Sequence, residues 1–308
     1  MVGFKFASGD LVATSTGLTC TTANFVTMGI KVGQWLKIGG TGASNQFATA
    51  ANNDFARVTA VSANAITLDN RPTGWGADTG TGKTVKLWFG DTIKNGTTQR
   101  FFTIEKGFLD VNQFFVYRGM VPSAMSLALN AQQIVTGSFD FMGTTHTASG
   151  SALSGSPAAA SSESIVSAMA NVARIAEAGS ALGPNNYVQS MTLQVQNNPR
   201  AQTAVGLLGL IGIGTGRNDV TGTMNCYFSD RTQYDKYLSG TPTNVNFRLV
   251  DALTSRATIF TAPNVEFETG SVVAGQGNAD LFGNFTWRSK FDSLTNAQLT
   301  VDRFPYYE

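Results

Sequence analysis

This chain of 308 residues holds a single histidine, two cysteines and eight prolines, and charged side chains make up only 13% of it. One histidine rules out histidine-rich metal centres. It also leaves any Ser-His-Asp or Cys-His arrangement resting on His146 alone, within the loop-like "GTTHTASGS". Cys20 and Cys226 lie in separate regions and form neither a disulfide framework nor zinc-ligand spacing. No carboxylate cluster has calcium-loop spacing, and Glu266 and Glu268, two apart, fit a solvated strand face. No catalytic, cofactor or metal site is therefore expected. The longest apolar run, "AVGLLGLIGIG" (Ala204–Gly214), is too short and too glycine-rich to span a bilayer. The opening "MVGFKFASGD" lacks the long apolar core of a signal peptide, so a protein made and kept in a reducing cytoplasm is expected.

Basic excess is also missing. The 21 Lys and Arg against 20 Asp and Glu leave a net charge of +1, which excludes a protein that grips nucleic acid mainly through phosphates. Residues 1–97 carry 8 basic against 5 acidic groups, and residues 98–308 carry 13 against 15, a mild asymmetry of +3 and −2.

Glycine (33) and phenylalanine (21) are plentiful. Low charge with abundant glycine, threonine and aromatics fits a β-rich protein with many turns, not disorder. One stretch, "ADTGTGKT" (Ala77–Thr84), nearly matches a phosphate-binding loop, but alanine stands where the first glycine belongs. The following "TVKLWFGD" alternates as a strand where a helix would be needed, so the stretch reads as a hairpin loop. "GLIGIGTGRND" (Gly209–Asp219) lacks the G-x-G-x-x-G step of a dinucleotide site and reads as a loop between strands.

Up to about Gly96 the chain shows short strands separated by turns, the pattern of a small barrel or sandwich. From Thr97 the runs lengthen. In "MSLALNA", Met125, Leu127 and Leu129 share one face against Ser126, Ala128 and Asn130; in "VTGSFDFMG", Phe139 and Phe141 oppose Ser138 and Asp140. The stretch Thr147–Ser164 is rich in Ser, Ala and Gly. In "SIVSAMANVARIAEAG", Ile165, Met169, Val172 and Ile175 fit a helical stripe, although an extended reading also stands. "SMTLQVQNN" and "VTGTMNCYFSD" then repeat the order of a Met-x-Leu strand followed by a Val-Thr-Gly strand. This is read as a degenerate internal duplication, against chance similarity of two amphipathic strand pairs. "SDRTQYDKYLSG" predicts a short helix capped at Ser229 or Asp230, with Tyr234, Tyr237 and Leu238 on one face.

The run "TTQRFFTIEKGFLDVNQFFVYRGMVPSAMSLAL", the following "IVTGSFDFMG", then "VQSMTLQVQNN", "GIGTGRNDVTGTMNCYFSD", "APNVEF" and the terminal "VDRFP" resemble the tail tube proteins of long-tailed, non-contractile bacteriophages. The resemblance covers about residues 90–308. It implies a mainly β fold: a tail-tube-like sandwich or barrel with a flanking short helix (97–308, including the duplicated strand pairs 125–142 and 189–229). Residues 1–96 then form a small all-β module on the tube exterior. It further implies a structural virion protein, assembled in the host cytoplasm into stacked homohexameric rings, with a trimer of duplicated subunits as the rival symmetry. Its partners would be itself, the tape measure protein and transiting DNA in the lumen, and the tail tip and tail terminator proteins, with no membrane.

Carried onto this sequence, the inward strands would be Met125–Gln132, Ile134–Met142, Gln189–Gln196 and Val220–Ser229. Their polar face would line the channel with Ser126, Asn130, Ser138, Asp140, Thr192, Gln194, Gln196, Thr223 and Asn225. One acid and no Lys or Arg over these nine positions suits a conduit that must not hold DNA. The stretch 144–164, with Thr144, His146, Ser149, Ser151 and Gly155, would be either an inter-ring loop or an exposed linker. The competing class is a non-enzymatic carbohydrate-binding or adhesin module, for which Trp35, Trp75 and Trp88 could supply an aromatic platform.

Overall fold

The computed structural model describes residues 2–163, 165–183, 186–274, 277 and 279–307. Its first seven strands are β1 (Val2–Lys5), β2 (Leu11–Ala13), β3 (Gly17–Cys20), β4 (Trp35–Ile38), β5 (Phe55–Val61), β6 (Ala65–Asp69) and β7 (Lys86–Phe89). They form one antiparallel sheet in the order β1-β7-β4-β5-β6-β3-β2. The two ends of this sheet meet. Ala13 and Asp78 exchange backbone bonds of 2.8 and 2.9 Å, Gly9 N–H donates to the Gly80 carbonyl, and Phe6 N–H donates to that of Val85. The sheet thus curls around its own core, which includes Phe25, Leu36, Ile38 and Leu87. Ala77–Thr84 is part of this closure, with Gly80 and Gly82 at positive φ, and it leads into β7.

The remaining strands are β8 (Asp91–Lys94), β9 (Phe102–Phe108), β10 (Gln113–Asn130), β11 (Thr136–Met142), β12 (Thr145–Ser149), β13 (Val172–Glu177), β14 (Ser180–Ala181), β15 (Val188–Gln196), β16 (Arg200–Gln202), β17 (Gly212–Gly214), β18 (Asp219–Tyr227), β19 (Thr243–Asp251), β20 (Arg256–Ala274), β21 (Leu281–Ser289) and β22 (Thr300–Phe304). The main sheet runs β11-β10-β15-β18-β21-β20-β19-β13-β14. It doubles back through β20, whose first part pairs with β19 and β22 and whose second part pairs with β21, with a bulge between Phe267 and Thr269. Leu129, Met191, Leu193 and Met224 of the first layer bury themselves against Val245, Phe247 and Ala262 of the second. That is a two-layer β-sandwich.

β10 is long enough to serve two sheets. Gln113–Arg118 pairs with β9 and β12 as a projecting three-stranded arm, and Val121–Asn130 pairs with β11 and β15. The change of partners falls at Gly119 (φ 62°) and at Pro122, where the register slips and proline's missing N–H breaks no regular ladder. β8 bonds to β22 in the main sheet, so the chain leaves its first sheet after β7.

The helical stripe over Ile165–Ile175 is not formed. Ile165 and Met169 are 72% and 81% exposed, and Val172–Glu177 is strand β13, paired with β19 through a bulge. A long-range sheet partner there outweighs local periodicity. The later helix is present as α1 (Thr232–Ser239). Asp230 accepts the Thr232 N–H at 2.9 Å at its start, and Gly240 ends it at φ 62°. Tyr234 and Tyr237 pack on the core, while Leu238, expected beside them, is 62% exposed. An eight-residue helix offers one narrow packing stripe, taken by Gln233, Tyr234 and Tyr237.

The first sheet docks on the second layer. Trp35, wholly buried, donates its indole N–H to Thr261 Oγ1 at 2.9 Å and its backbone N–H to Asp302 Oδ1 at 3.3 Å. Phe55 meets Phe304 edge-on at 5.0 Å, and Arg248 binds both carboxylate oxygens of Asp54 at 3.1 Å. Along β19 and β20, Phe247 and Phe260 point into the sandwich core, whereas Arg248 and Ile259 point to the docked module. The module therefore lies on the side of the sandwich away from β10 and β15.

Candidate functional site

The register of four contiguous strands brings the nine predicted channel residues onto one face. Ser126 stands opposite Ser138 on one side and Gln194 on the other. Thr192 stands opposite Thr223, and Ser190, beside Asn130, opposite Asn225. Asp140 and Gln196 flank Ala124 on its two sides. Side chains on this face bond across strands: Ser126 and Ser138 hydroxyls lie 2.9 Å apart, and those of Thr192 and Thr223 lie 2.8 Å apart. On β10, β15 and β18 the opposite face is the apolar core, which fixes the orientation, because a slip of one residue would exchange the two faces.

Sequence reasoning missed the rest of this face. Ala124, Thr136, Ser190, Thr221 and Asp219 belong to it by register. It also continues onto β21 and β20 through Asn284, Thr286 and Arg288, with Thr269 opposite Thr286 at 2.7 Å between hydroxyls. The alternation of "GNFTWRS", with Phe285 and Trp287 buried between them, was the available signal. The added arginine is compensated: Arg288 contacts Glu268 at 2.6 Å and Asp219 at 3.2 Å.

β11 is exposed along nearly its whole length, with Phe139 65% exposed, and its outer edge has no strand partner among the described residues. An unpaired edge is a template for another strand.

The stretch 144–164 is partly ordered here. The Thr144 N–H and hydroxyl donate to the Arg118 carbonyl, His146 stacks on Tyr117 within β12, and Ser149 pairs with Phe114. The Ser151 and Ser149 hydroxyls lie 3.3 Å apart, and Gly155 lies in an exposed bend; Ser164 lies outside the described residues. The three tryptophans make no common platform. Trp35 and Trp88 are buried at 0% and 6% exposure, and Trp75 donates its indole N–H to the Thr14 carbonyl at 2.7 Å. Among the described residues there is no group of three or more His, Cys, Asp or Glu placed to hold a metal, and no helix long and apolar enough to cross a membrane.

The polar sheet face, the strands that carry it and most of the core behind it lie within residues 73–289, the span matched by the family model of the phage tail tube protein. The chain belongs to the phage tail tube protein family. Among curated proteins none matches this chain. Membership makes it a structural component of a bacteriophage tail, and the two-layer sandwich with its four co-facial polar strands is this family member's framework.

Proposed function

We propose that this protein is the tube subunit of a long-tailed, non-contractile phage, and that copies close into rings which stack into a conduit for DNA ejection. The observation that carries the reading is the polar face of β11-β10-β15-β18, where Asp140 is the one charge among the nine predicted positions. A bore lined by hydroxyls and amides offers DNA no counterion release, so the duplex is not retained. Edge pairing through β11 would carry that face from one copy to the next, and a closed ring removes every edge.

Six copies per ring is the proposed symmetry, with a trimer of duplicated subunits as the rival. The docked first sheet, β1–β7, packed behind the second layer, decorates the exterior; of the expected 1–96 module, β8 belongs instead to the main sheet. The stretch 144–164 reaches toward the adjacent ring. Tape measure protein and then DNA occupy the bore, tail tip and terminator proteins bound the tube, and assembly takes place in the host cytoplasm.

Negative-stain electron microscopy of the purified chain at increasing concentration tests this. Hollow rings or tubes of constant bore are expected, and their symmetry separates six from three. Compact monomers at every concentration, with and without a tail-tip initiator, would overturn it.

A further inference from the structure

The loop between β15 and β18 is not a simple connection. It forms the hairpin β16–β17, with three paired positions from Arg200↔Gly214 to Gln202↔Gly212. Its tip, Thr203–Ile211, carries Val205 at 106%, Leu207 at 64%, Leu208 at 105% and Ile211 at 60% exposure. The tip is held in place: Ile211 N–H donates to the Gln202 carbonyl at 2.9 Å, and Gly206 and Gly209 take positive φ. Presenting four large apolar side chains to water on an ordered hairpin is unfavourable unless something covers them.

The opposite end of the same polar face carries a matching oddity. Its rows read Thr223–Thr286–Thr269, then Asn225–Asn284–Ser271, and then turn apolar: Tyr227 opposite Phe282, and Phe282 opposite Val273. The Tyr227 and Phe282 rings lie 4.9 Å apart, and Val273 is 49% exposed. β15 ends at Gln196 and β18 begins at Asp219, where the hairpin leaves. β18 ends at Tyr227, so strand direction puts tip and rim at opposite ends, about 30 Å apart at roughly 3.3 Å per residue.

We propose that the hairpin tip of one copy docks on the Tyr227–Phe282–Val273 rim of a second copy of this chain. Each copy carries both halves of the contact at opposite ends of its strands. The contact is therefore heterologous, it repeats along the strand direction, and it does not close on itself. It rests on the tube reading and gives the 197–218 hairpin an axial contact between rings, in addition to any made by the 144–164 stretch beside it.

The test uses the full chain with Leu208→Cys and Val273→Cys. Cys20 and Cys226 are 2% and 1% exposed, so the native thiols stay silent. Under diamide, the double variant should give a disulfide ladder extending beyond the number of copies in one ring, absent from each single variant. Leu208→Asp, at a fully exposed position, should melt as the wild type does and form rings, but tube length should fall at least tenfold. Tubes of the double variant without a ladder, or wild-type tube length in Leu208→Asp, would overturn the tip contact and leave the tube reading standing. No rings or tubes from the wild type would overturn both. Co-flotation of the wild type with phosphatidylcholine vesicles in place of a ladder would assign the tip to a membrane and also overturn it.

Discussion

Leu127 and Leu193 stand directly opposite each other in the β10–β15 register, and each faces a glycine on its outer neighbour, Gly137 for Leu127 and Gly222 for Leu193. The two Met-x-Leu strands are thus set symmetrically about this pair, each flanked by its own Val-Thr-Gly strand. The glycines are required by their neighbours. A Cβ at Gly137 would come within 2.8 Å of Leu127 Cδ2, and one at Gly222 would overlap the Trp287 ring and the Thr192 carbonyl.

Gly222→Ala is therefore expected to destabilise the fold by about 1–3 kcal/mol or more, since neither a buried indole nor backbone can yield cheaply. Gly96→Ala, where an added Cβ meets open space, serves as the control and should be near neutral. Urea unfolding midpoints of the two variants decide this; equal midpoints would contradict it.

Trp35→Phe keeps most of the apolar contact at the docked module but leaves Thr261 Oγ1, in a fully buried residue, without its donor. A loss of about 1–3 kcal/mol is expected, the range for orphaning a buried polar group. Trp75→Phe is expected to lose less, because the Thr14 carbonyl it bonds lies nearer the surface. Thermal unfolding of both variants checks the order.

Asp302 gives the docked interface a pH dependence. Burial pushes its carboxyl up to about 7, only partly offset by the hydrogen bonds from Thr92 and the Trp35 N–H. A carboxyl raised above its unfolded value of about 3.9 binds its proton more tightly in the folded state. Its contribution to stability is full below pH 4 and falls away as pH rises through 7. Asp302→Asn should therefore match the wild type near pH 4 and exceed it in melting temperature at pH 8. A variant less stable than the wild type at pH 8 would refute the assignment.

Asp140 is exposed on the polar face with no ion-pair partner among the described residues. Asp140→Lys should change monomer stability by less than about 0.5 kcal/mol, as is usual for surface positions. In assembled tubes it would place one cation per subunit in the bore. DNA retention should rise, and it should fall again with added salt through counterion release. Retention measured by fluorescent duplex uptake at 50 and 200 mM salt reads this; salt-independent retention, or none, would count against a lumen-facing Asp140.

The polar and apolar faces of β10, β11, β15 and β18 were legible in the sequence because a strand's side chains alternate with period two, and Ser126, Thr192 and Thr223 declare their side without any partner. The flanking helix was legible for a similar reason: a start signal at Ser229 or Asp230 lies in the local sequence, and Asp230 accepts the Thr232 N–H one residue ahead of the N-cap Arg231. β13 was not. Ile165, Met169, Val172 and Ile175 happen to share the spacing of a helix, and the deciding partner, β19, lies some 70 residues away in sequence. The contributions of β21 and β20 to the polar face were also hidden, since β18↔β21 pairing is a choice among many amphipathic strands.

Local chemistry in the chain determined the strands of the polar sheet, which face of each is polar, how little charge that face carries, and where one short helix lies. These follow from side-chain alternation and from caps, which act within a few residues. Only the tertiary structure decided that four polar faces align into one surface and that the first sheet docks behind the second layer through Trp35 and Asp302. It alone set the exposed hairpin tip and the aromatic rim at opposite ends of the same strands. Those are outcomes of long-range pairing and packing, where many partners are locally acceptable and the burial of one common core selects among them.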